Sequence, residues 1–295
     1  MGRAAIDLGS NMAQLLIVLP TGEEKVFQDF TALGFQTAVT KKLSENSIHK
    51  TLEVLLNFKS ILDNFNISTS EVVFYATEAC RIALNRDIFF EKIKILGFNP
   101  ILISAEHEAF LSSYAVLKDQ NQIDNYVSLD IGGASTEIVL LNVQKKISHF
   151  VSLKVGTLLA TDLKESNEYE SFFKNLIKQQ TKQLEMFRNK DLICTRGTMT
   201  TIFNLVLNNH SQIEYSYPSK SLLAKEILGS LNIISQFSND ELEKSYPYIK
   251  PRLKTLAGAI LVVQSLISYL KPEKIILSDR GLVHAALDLI DINQN

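Results

Sequence analysis

Apolar and polar positions change places in short runs at the start of the chain. RAAIDLG, MAQLLIVLP and EEKVFQDF are separated by turn residues at Gly9 to Asn11 and Pro20 to Gly22, which predicts a three-stranded meander. The period then changes: Ile48, Leu52, Leu55, Leu56, Ile61 and Leu62 recur at spacings of three and four, a helix for which Ser47 is the expected N-cap. EVVFYAT reads as a strand, RDIFFEKIKILG as a helix stopped by Gly97, PILIS as a strand, and AEHEAFLSSYAVLK as a helix capped by Ser104. Strands alternating with helices predict an α/β sheet covered by helices.

The polar connector DQNQIDN precedes a second meander, YVSLDIGG, STEIVLLNV and KKISHFVSLKVG. A long helix around 168 to 187, the strand DLICTRG, a helix from Thr198, another across SLLAKEILGSLNIIS, an apolar helix from 256 to 270, the strand KIILS and the closing helix GLVHAALDLI follow. AAIDLGSNMAQLLIVL and VSLDIGGASTEIVLLN share one order: apolar run, Asp, apolar residue, Gly, short polar turn, apolar strand. Asp7 lies over Asp130, a separation of 130 − 7 = 123 positions. A repeat of that length predicts a duplicated domain, with residues 1–119 and 120–295 as the two copies and the closing helix near 281–295 packing back on the first. Two such hairpins facing each other would form one cleft.

Length and composition agree with two cores: 295 residues at roughly 150 per domain, 46% hydrophobic and 21% charged. The net charge of −2 supplies no overall field for a nucleic-acid backbone. The run LAGAILVVQSLISYL is shorter than a bilayer span and broken by Gln264 and two serines, so it is expected to be buried and no membrane partner is expected. Cys80 and Cys194 lie in apolar stretches without metal or redox spacing, and the five histidines are scattered, so no zinc site is expected. Free thiols and the absence of a leader pattern at the N-terminus lead to the expectation of a cytoplasmic protein.

The paired turns carry the candidate chemistry. Glycine lets backbone N–H groups converge with no Cβ in the way, forming a nest for phosphate oxygens, and Ser and Thr hydroxyls add donors. An Asp aimed at bound phosphate is repelled unless a divalent cation intervenes, so Asp with phosphate points to Mg²⁺. Either turn alone fits ordinary hairpin punctuation, with Asp capping its own turn. A third glycine turn, CTRGTMTTI, places Gly197 and Thr198 at a helix start, which suits an anion or a Thr cap equally. Glu106 and Glu108 point about 200° apart on their helix. Glu106 is accounted for by the helix N-terminus, whereas Glu108 shares a face with Leu111, Ser112 and Ala115 and should be partly buried.

These residues resemble the exopolyphosphatase and guanosine pentaphosphate phosphohydrolase family. AAIDLGSN matches its opening phosphate turn, ATEACRIALNR resembles ATSAxRxAxNR, ISAEHEA resembles SGxEEA, and DIGGASTEIV matches DIGGGSTEL. RGTMTTI, RLKTLAGAIL and SDRGLVHAAL resemble GGTATT, RADVIxAGxxIL and SxxGLREGLL. The resemblance implies two duplicated α/β domains of actin-like ATPase (ribonuclease H-like) fold, each with a central mixed sheet flanked by helices. It implies hydrolysis of a terminal phosphoanhydride of polyphosphate or guanosine pentaphosphate with Mg²⁺. By motif position, Glu108 would orient or deprotonate the water and Arg81 would neutralise phosphate charge. Asp7, Asp130 and Glu137 would place the metal, and Gly9, Ser10, Asn11, Gly132, Gly133, Ala134, Ser135, Thr136, Gly197 and Thr198 would hold phosphoryl oxygens. A homodimer is one assembly to test. Ala105, His107, Ala134, Leu159, Arg196 and Lys254 depart from the family pattern and leave substrate choice open. Two other readings of the same turns are an ATP-dependent small-molecule kinase on this fold and a non-catalytic phosphate or alarmone sensor.

Overall fold

The computed structural model describes residues 2–118, 126–141, 147–195, 197–208 and 220–294. They divide into two compact units, 1–111 with 282–295, and 112–281. The division falls inside the helix Ala105–Lys118 and not in the polar connector at 119–125, which lies outside the described residues.

The first unit holds β1 (Arg3–Leu8), β2 (Met12–Val18), β3 (Glu24–Phe30), β4 (Val73–Ala76) and β5 (Pro100–Leu102), in the order β3-β2-β1-β4-β5. The meander β1 to β3 is antiparallel, while β4 and β5 run parallel to β1. β1 is buried at Ala4, Ala5, Ile6 and Leu8 because apolar side chains cover both of its faces. Ile6 and Leu8 enter a core with Phe58, Phe74, Phe89 and Phe98, and Ala5 meets Val283, Ala286 and Leu287 of the closing helix Leu282–Gln294. The helix Glu45–Asn64 starts earlier than Ser47. Ser44 is its N-cap, accepting from the Ser47 N–H at 3.1 Å, and Ser47 is instead buried with its hydroxyl on the Ala32 carbonyl.

The second unit holds β6 (Tyr126–Ile131), β7 (Thr136–Leu141), β8 (Ile147–Leu153), β9 (Asp191–Cys194), β10 (Lys220–Leu223) and β11 (Lys274–Leu277), ordered β10-β11-β9-β6-β7-β8. Its antiparallel meander β6 to β8 and its parallel strands β9 and β11 repeat the first sheet, so both units are mixed sheets flanked by helices. The stretch expected as one helix from Ser221 splits. Residues 220–223 pair antiparallel with β11, and Glu226 accepts from the Leu223 N–H at 3.0 Å to start the helix at Ala224. Sheet pairing at the edge overrides the helical period there. Three short helices, Glu78–Ile82, Thr157–Glu165 and Asn239–Ser245, carry too little periodic sequence to stand out.

The apolar run beginning at 256 lies in the helix Leu253–Leu270, whose Leu256, Ile260, Val263, Leu266 and Leu270 join the core of the second unit. Gly258 lets this helix approach Thr157–Glu165 closely: a Cβ there would sit 2.6 Å from the Thr161 nitrogen and nearer still to the Thr157 carbonyl. Backbone cannot yield as a flexible side chain can. Gly258→Ala is expected to destabilise the second unit by roughly 1–3 kcal/mol, read as a lower thermal midpoint. An unchanged midpoint would mean that the two helices separate freely.

Candidate active site

The two hairpin turns match bond for bond. The Gly9 N–H donates to the Met12 carbonyl and the Gly132 N–H to the Ser135 carbonyl, both at 2.9 Å, with both pairs offset by 132 − 9 = 135 − 12 = 123. Asp7 stands opposite Gln14 across β1 and β2, and Asp130 opposite Glu137 across β6 and β7, again 123 apart. Behind each Asp, the next carbonyl accepts a threonine hydroxyl: Thr77 to Leu8 at 3.2 Å and Thr198 to Ile131 at 2.7 Å.

Each turn is also held from the segment after its third strand. Gly34 donates to the Ser10 carbonyl at 2.7 Å, while Thr157 and Leu158 donate to the Gly132 and Gly133 carbonyls at 3.0 and 2.8 Å. With the carbonyls engaged on the scaffold, the N–H groups of Ser10 and Asn11, and of Gly133, Ala134 and Ser135, make no backbone hydrogen bond among the described residues. Backbone donors left this way seek an acceptor from outside the fold. Close approach depends on glycine: a Cβ on Gly156 would lie 2.5 Å from the Gly133 carbonyl group, and one on Gly34 2.7 Å from Ser10 Cβ. Neither glycine stands out in the sequence, because neither sits in the turn that it holds.

Two of the expected phosphate ligands have their hydroxyls engaged elsewhere. Thr136 is fully buried and donates to the Val155 carbonyl at 2.7 Å, and Thr198 donates to Ile131, so both brace the turn. Ser10 and Ser135 are buried beside their loops. Gly197 opens the nine-residue helix Thr198–Val206 at φ 88°, a conformation that favours glycine, and caps it without a side chain. Thr198 is therefore not the N-cap. Arg196 lies outside the described residues.

Among the expected metal carboxylates, Asp130 and Glu137 face each other in register, and Asp7 belongs to the first unit. Among the described residues no three His, Cys, Asp or Glu side chains gather into a metal cage. Glu137 is buried and accepts from Ser152 Oγ at 2.9 Å. Burial pushes the Asp130 carboxyl above its usual range, and the Thr195 and Ser112 hydroxyls offset this only in part. Thr195 Oγ1 meets no close hydrogen-bond geometry and acts as a nearby dipole. A half-buried acid facing a buried one across the strands fits Mg²⁺, which commonly takes one or two carboxylates and completes its shell with water and phosphate oxygens. Both thiols are buried and free, and burial pushes Cys80 up to about 12, which removes it as a nucleophile.

In the first unit, Glu108 and Arg81 are brought together. Arg81 Nη1 donates to Glu108 Oε2 at 2.7 Å and to the Ile103 carbonyl at 2.9 Å. Its other edge is taken by Glu78, whose Oε2 accepts from Nε at 2.9 Å and Nη2 at 2.7 Å. Burial alone would pull the guanidinium pKa down, but Glu108 and Glu78 outweigh it and hold the pKa up. Glu108 lies on the face of Leu111, Ser112 and Ala115, which are buried, whereas Glu106 and His107 are exposed. Ser104 caps the helix through the His107 N–H at 3.1 Å. Ala105 and Leu159 are half-buried, and Lys254 is exposed.

The raised Asp130 gives a signed expectation. Its protonated form is favoured by the fold, so its contribution to stability is greatest below the usual carboxylate range and is lost as pH rises through the raised pKa. Asp130→Asn should melt with the wild type at low pH and above it at neutral pH, by about a few degrees. Equal midpoints across that range would contradict the burial cost.

Comparison with known proteins shows what the chain is similar to. The chain is 27% identical to a bifunctional 3-dehydroquinate synthase/phosphatase of Fusobacterium nucleatum, over 97% of its own length and 46% of the relative. It is 33% identical to a guanosine-5'-triphosphate,3'-diphosphate pyrophosphatase of Photobacterium profundum, over 52% of its length and 31% of the relative. It thus spans less than half the length of these relatives. The crystal structure of the Aquifex aeolicus Ppx/GppA family member superposes with a TM-score of 0.75 at 25% identity, covering 100% of this chain and 99% of that one. An exopolyphosphatase from Cytophaga hutchinsonii shares the fold at a TM-score of 0.83 and 20% identity, covering 98% and 97%. The sequence model described as the Ppx/GppA phosphatase family matches residues 27–289, most of the chain, which together with the matched turns and their carboxylates makes this protein a member of the Ppx/GppA phosphatase family.

Proposed function

We propose that the chain hydrolyses the terminal phosphoanhydride of short-chain inorganic polyphosphate or of guanosine pentaphosphate, releasing orthophosphate. The observation that carries the reading is the pair of matched turns whose N–H groups at 10–11 and 133–135 make no backbone hydrogen bond among the described residues, while neighbouring segments hold the Ser10, Gly132 and Gly133 carbonyls. Such donors recognise phosphoryl oxygens, and phosphoryl transfer asks mainly for positioning and charge stabilisation. Relatives whose names specify guanosine-5'-triphosphate,3'-diphosphate pyrophosphatase, and a structural neighbour named as an exopolyphosphatase, support the substrate class.

In this reading Glu108 accepts a proton from water as the water oxygen bonds to the terminal phosphorus. The bridging P–O bond breaks, and its electron pair leaves with the shortened chain. Arg81 fixes the carboxylate through the 2.7 Å bond to Oε2. The turns orient the terminal phosphoryl group, and the scaffold bonds from Gly34, Thr157 and Leu158 keep their donors aimed during the reaction. Asp130 and Glu137 would hold Mg²⁺, and Asp7 is the matching carboxylate of the first unit's turn; the cation would supply charge neutralisation to the phosphate oxygens.

Purified protein with Mg²⁺ is expected to release phosphate from tripolyphosphate or guanosine pentaphosphate and to stop when the cation is chelated. Glu108→Gln should lower kcat by about a hundredfold or more while tripolyphosphate binding stays within about threefold. Full activity in Glu108→Gln would remove it as the base. Tight binding without phosphate release by the wild type would favour a sensor, and ATP turnover only with an added acceptor would favour a kinase.

A further inference from the structure

The segment between β3 and the helix Glu45–Asn64 is braced at both ends, and its far brace is a side chain that the proposed reaction does not use. At the near end, the Thr31 and Ala32 N–H groups donate to the Asn11 carbonyl at 2.9 and 3.0 Å, and Gly34 donates to Ser10. At the far end, Asn85 pairs with Leu43 through both polar atoms of its amide. Its Nδ2 donates to the Leu43 carbonyl and its Oδ1 accepts from the Leu43 N–H, each at 2.9 Å. Beside this pair the Leu84 N–H donates to the Lys41 carbonyl at 2.8 Å. Leu33 and Leu43 are buried, so the core of the first unit backs both braces.

Between the braces the backbone is strained. Ala32, Gln36 and Lys41 take φ of 50°, 57° and 56°, where a Cβ crowds the neighbouring carbonyl. The other non-glycine residues with positive φ are Asn66, Asn167, Asn189 and Asn208, a type that tolerates this region, and Lys271 at a helix end. Strain gathered in this way persists only where surrounding bonds hold it.

A single file of hydrogen bonds crosses the strained stretch. From Leu84 on Lys41 it passes to Lys41 on Thr37 at 2.9 Å, Thr37 on Gly34 at 3.1 Å, and Gly34 on Ser10 at 2.7 Å, each an N–H donating to a carbonyl. Leu84 follows the helix Glu78–Ile82, which carries Arg81. At the start of that helix, Thr77 donates to the Leu8 carbonyl through both its N–H and Oγ1, each at 3.2 Å. The Arg81 helix is thus tied at its start to the strand that enters the first phosphate turn, and at its end to the turn itself.

We infer that Asn85 is a positioning residue: by pairing with Leu43 it holds the strained stretch 32–41 in place, and so keeps the Ser10–Asn11 turn in fixed relation to the helix that carries Arg81. The inference rests on the reading of that turn as a phosphate site. Without the pair, the strain favours opening from the Leu43 end, and Gly34 leaves the Ser10 carbonyl.

The test is Asn85→Ala in the full chain, followed by amide hydrogen exchange and by calorimetric titration with tripolyphosphate and Mg²⁺. Exchange at Gly34, Lys41 and Leu43 should rise about tenfold or more, while Ile6 and Phe74 in the sheet keep wild-type rates. Tripolyphosphate affinity should fall roughly five- to tenfold, because the donors of the turn lose their fixed aim. A structural role confined to the loop would raise exchange at Leu43 or lower the thermal midpoint without reaching Gly34. Unchanged exchange at Gly34, or unchanged affinity, overturns the inference. Asn85→Asp serves if the Ala variant does not fold: it still accepts from the Leu43 N–H but cannot donate to the Leu43 carbonyl, and unchanged exchange at Gly34 in it overturns the inference equally. Failure of the underlying reading looks different. A wild type that binds no tripolyphosphate removes the phosphate reading of the turn, and the inference with it. A wild type that binds, with an Asn85→Ala variant that binds equally well, removes the inference alone.

Discussion

A peptide group in a tight turn presents its carbonyl and its N–H in opposed directions, so a bond that fixes one aims the other. In the second unit, Thr157 and Leu158 donate to the carbonyls of Gly132 and Gly133, and the N–H groups of the following residues are turned away from the scaffold. Gly156 makes this possible, since any side chain there would collide with the Gly133 carbonyl. The first unit reaches the same result with Gly34 against Ser10. The outward aim of these N–H groups is therefore a property of the segments behind the turns as much as of the turns' own glycines.

The two units carry matching turns and differ around them. The first keeps Gln14 opposite its Asp, has Ser and Asn in the turn, and carries the Glu78, Arg81 and Glu108 trio. The second places Glu137 opposite its Asp, uses a richer glycine turn, and buries Glu137 while leaving Asp130 half-buried. In the proposed reaction the first unit would activate water and the second would hold the cation.

Both meanders, the turn positions and the 123-residue offset were legible because strand alternation and glycine turns are local signals. The partial burial of Glu108 and the exposure of Glu106 were legible too, since helical geometry separates residues two apart. What escaped was set by contact at a distance. Gly34 and Gly156 look like ordinary loop glycines until the turns they touch are placed beside them. Glu78 sits three residues from Arg81, yet nothing in ATEACR says that it is buried or that it competes with Glu108 for the same guanidinium. Thr136 and Thr198 read as phosphate donors because hydroxyls suit that task, but the nearest acceptors are the carbonyls of Val155 and Ile131. Ser44 displaced Ser47 as a cap because Ser47 was needed under Ala32.

The central claim is that the outward N–H groups of the two matched turns bind phosphoryl oxygens. Amide chemical shifts followed by NMR during titration with tripolyphosphate and Mg²⁺ test it directly. The account predicts saturable shifts concentrated at the amides of Ser10, Asn11, Gly133, Ala134 and Ser135. Saturable binding that leaves those five amides unmoved would contradict it.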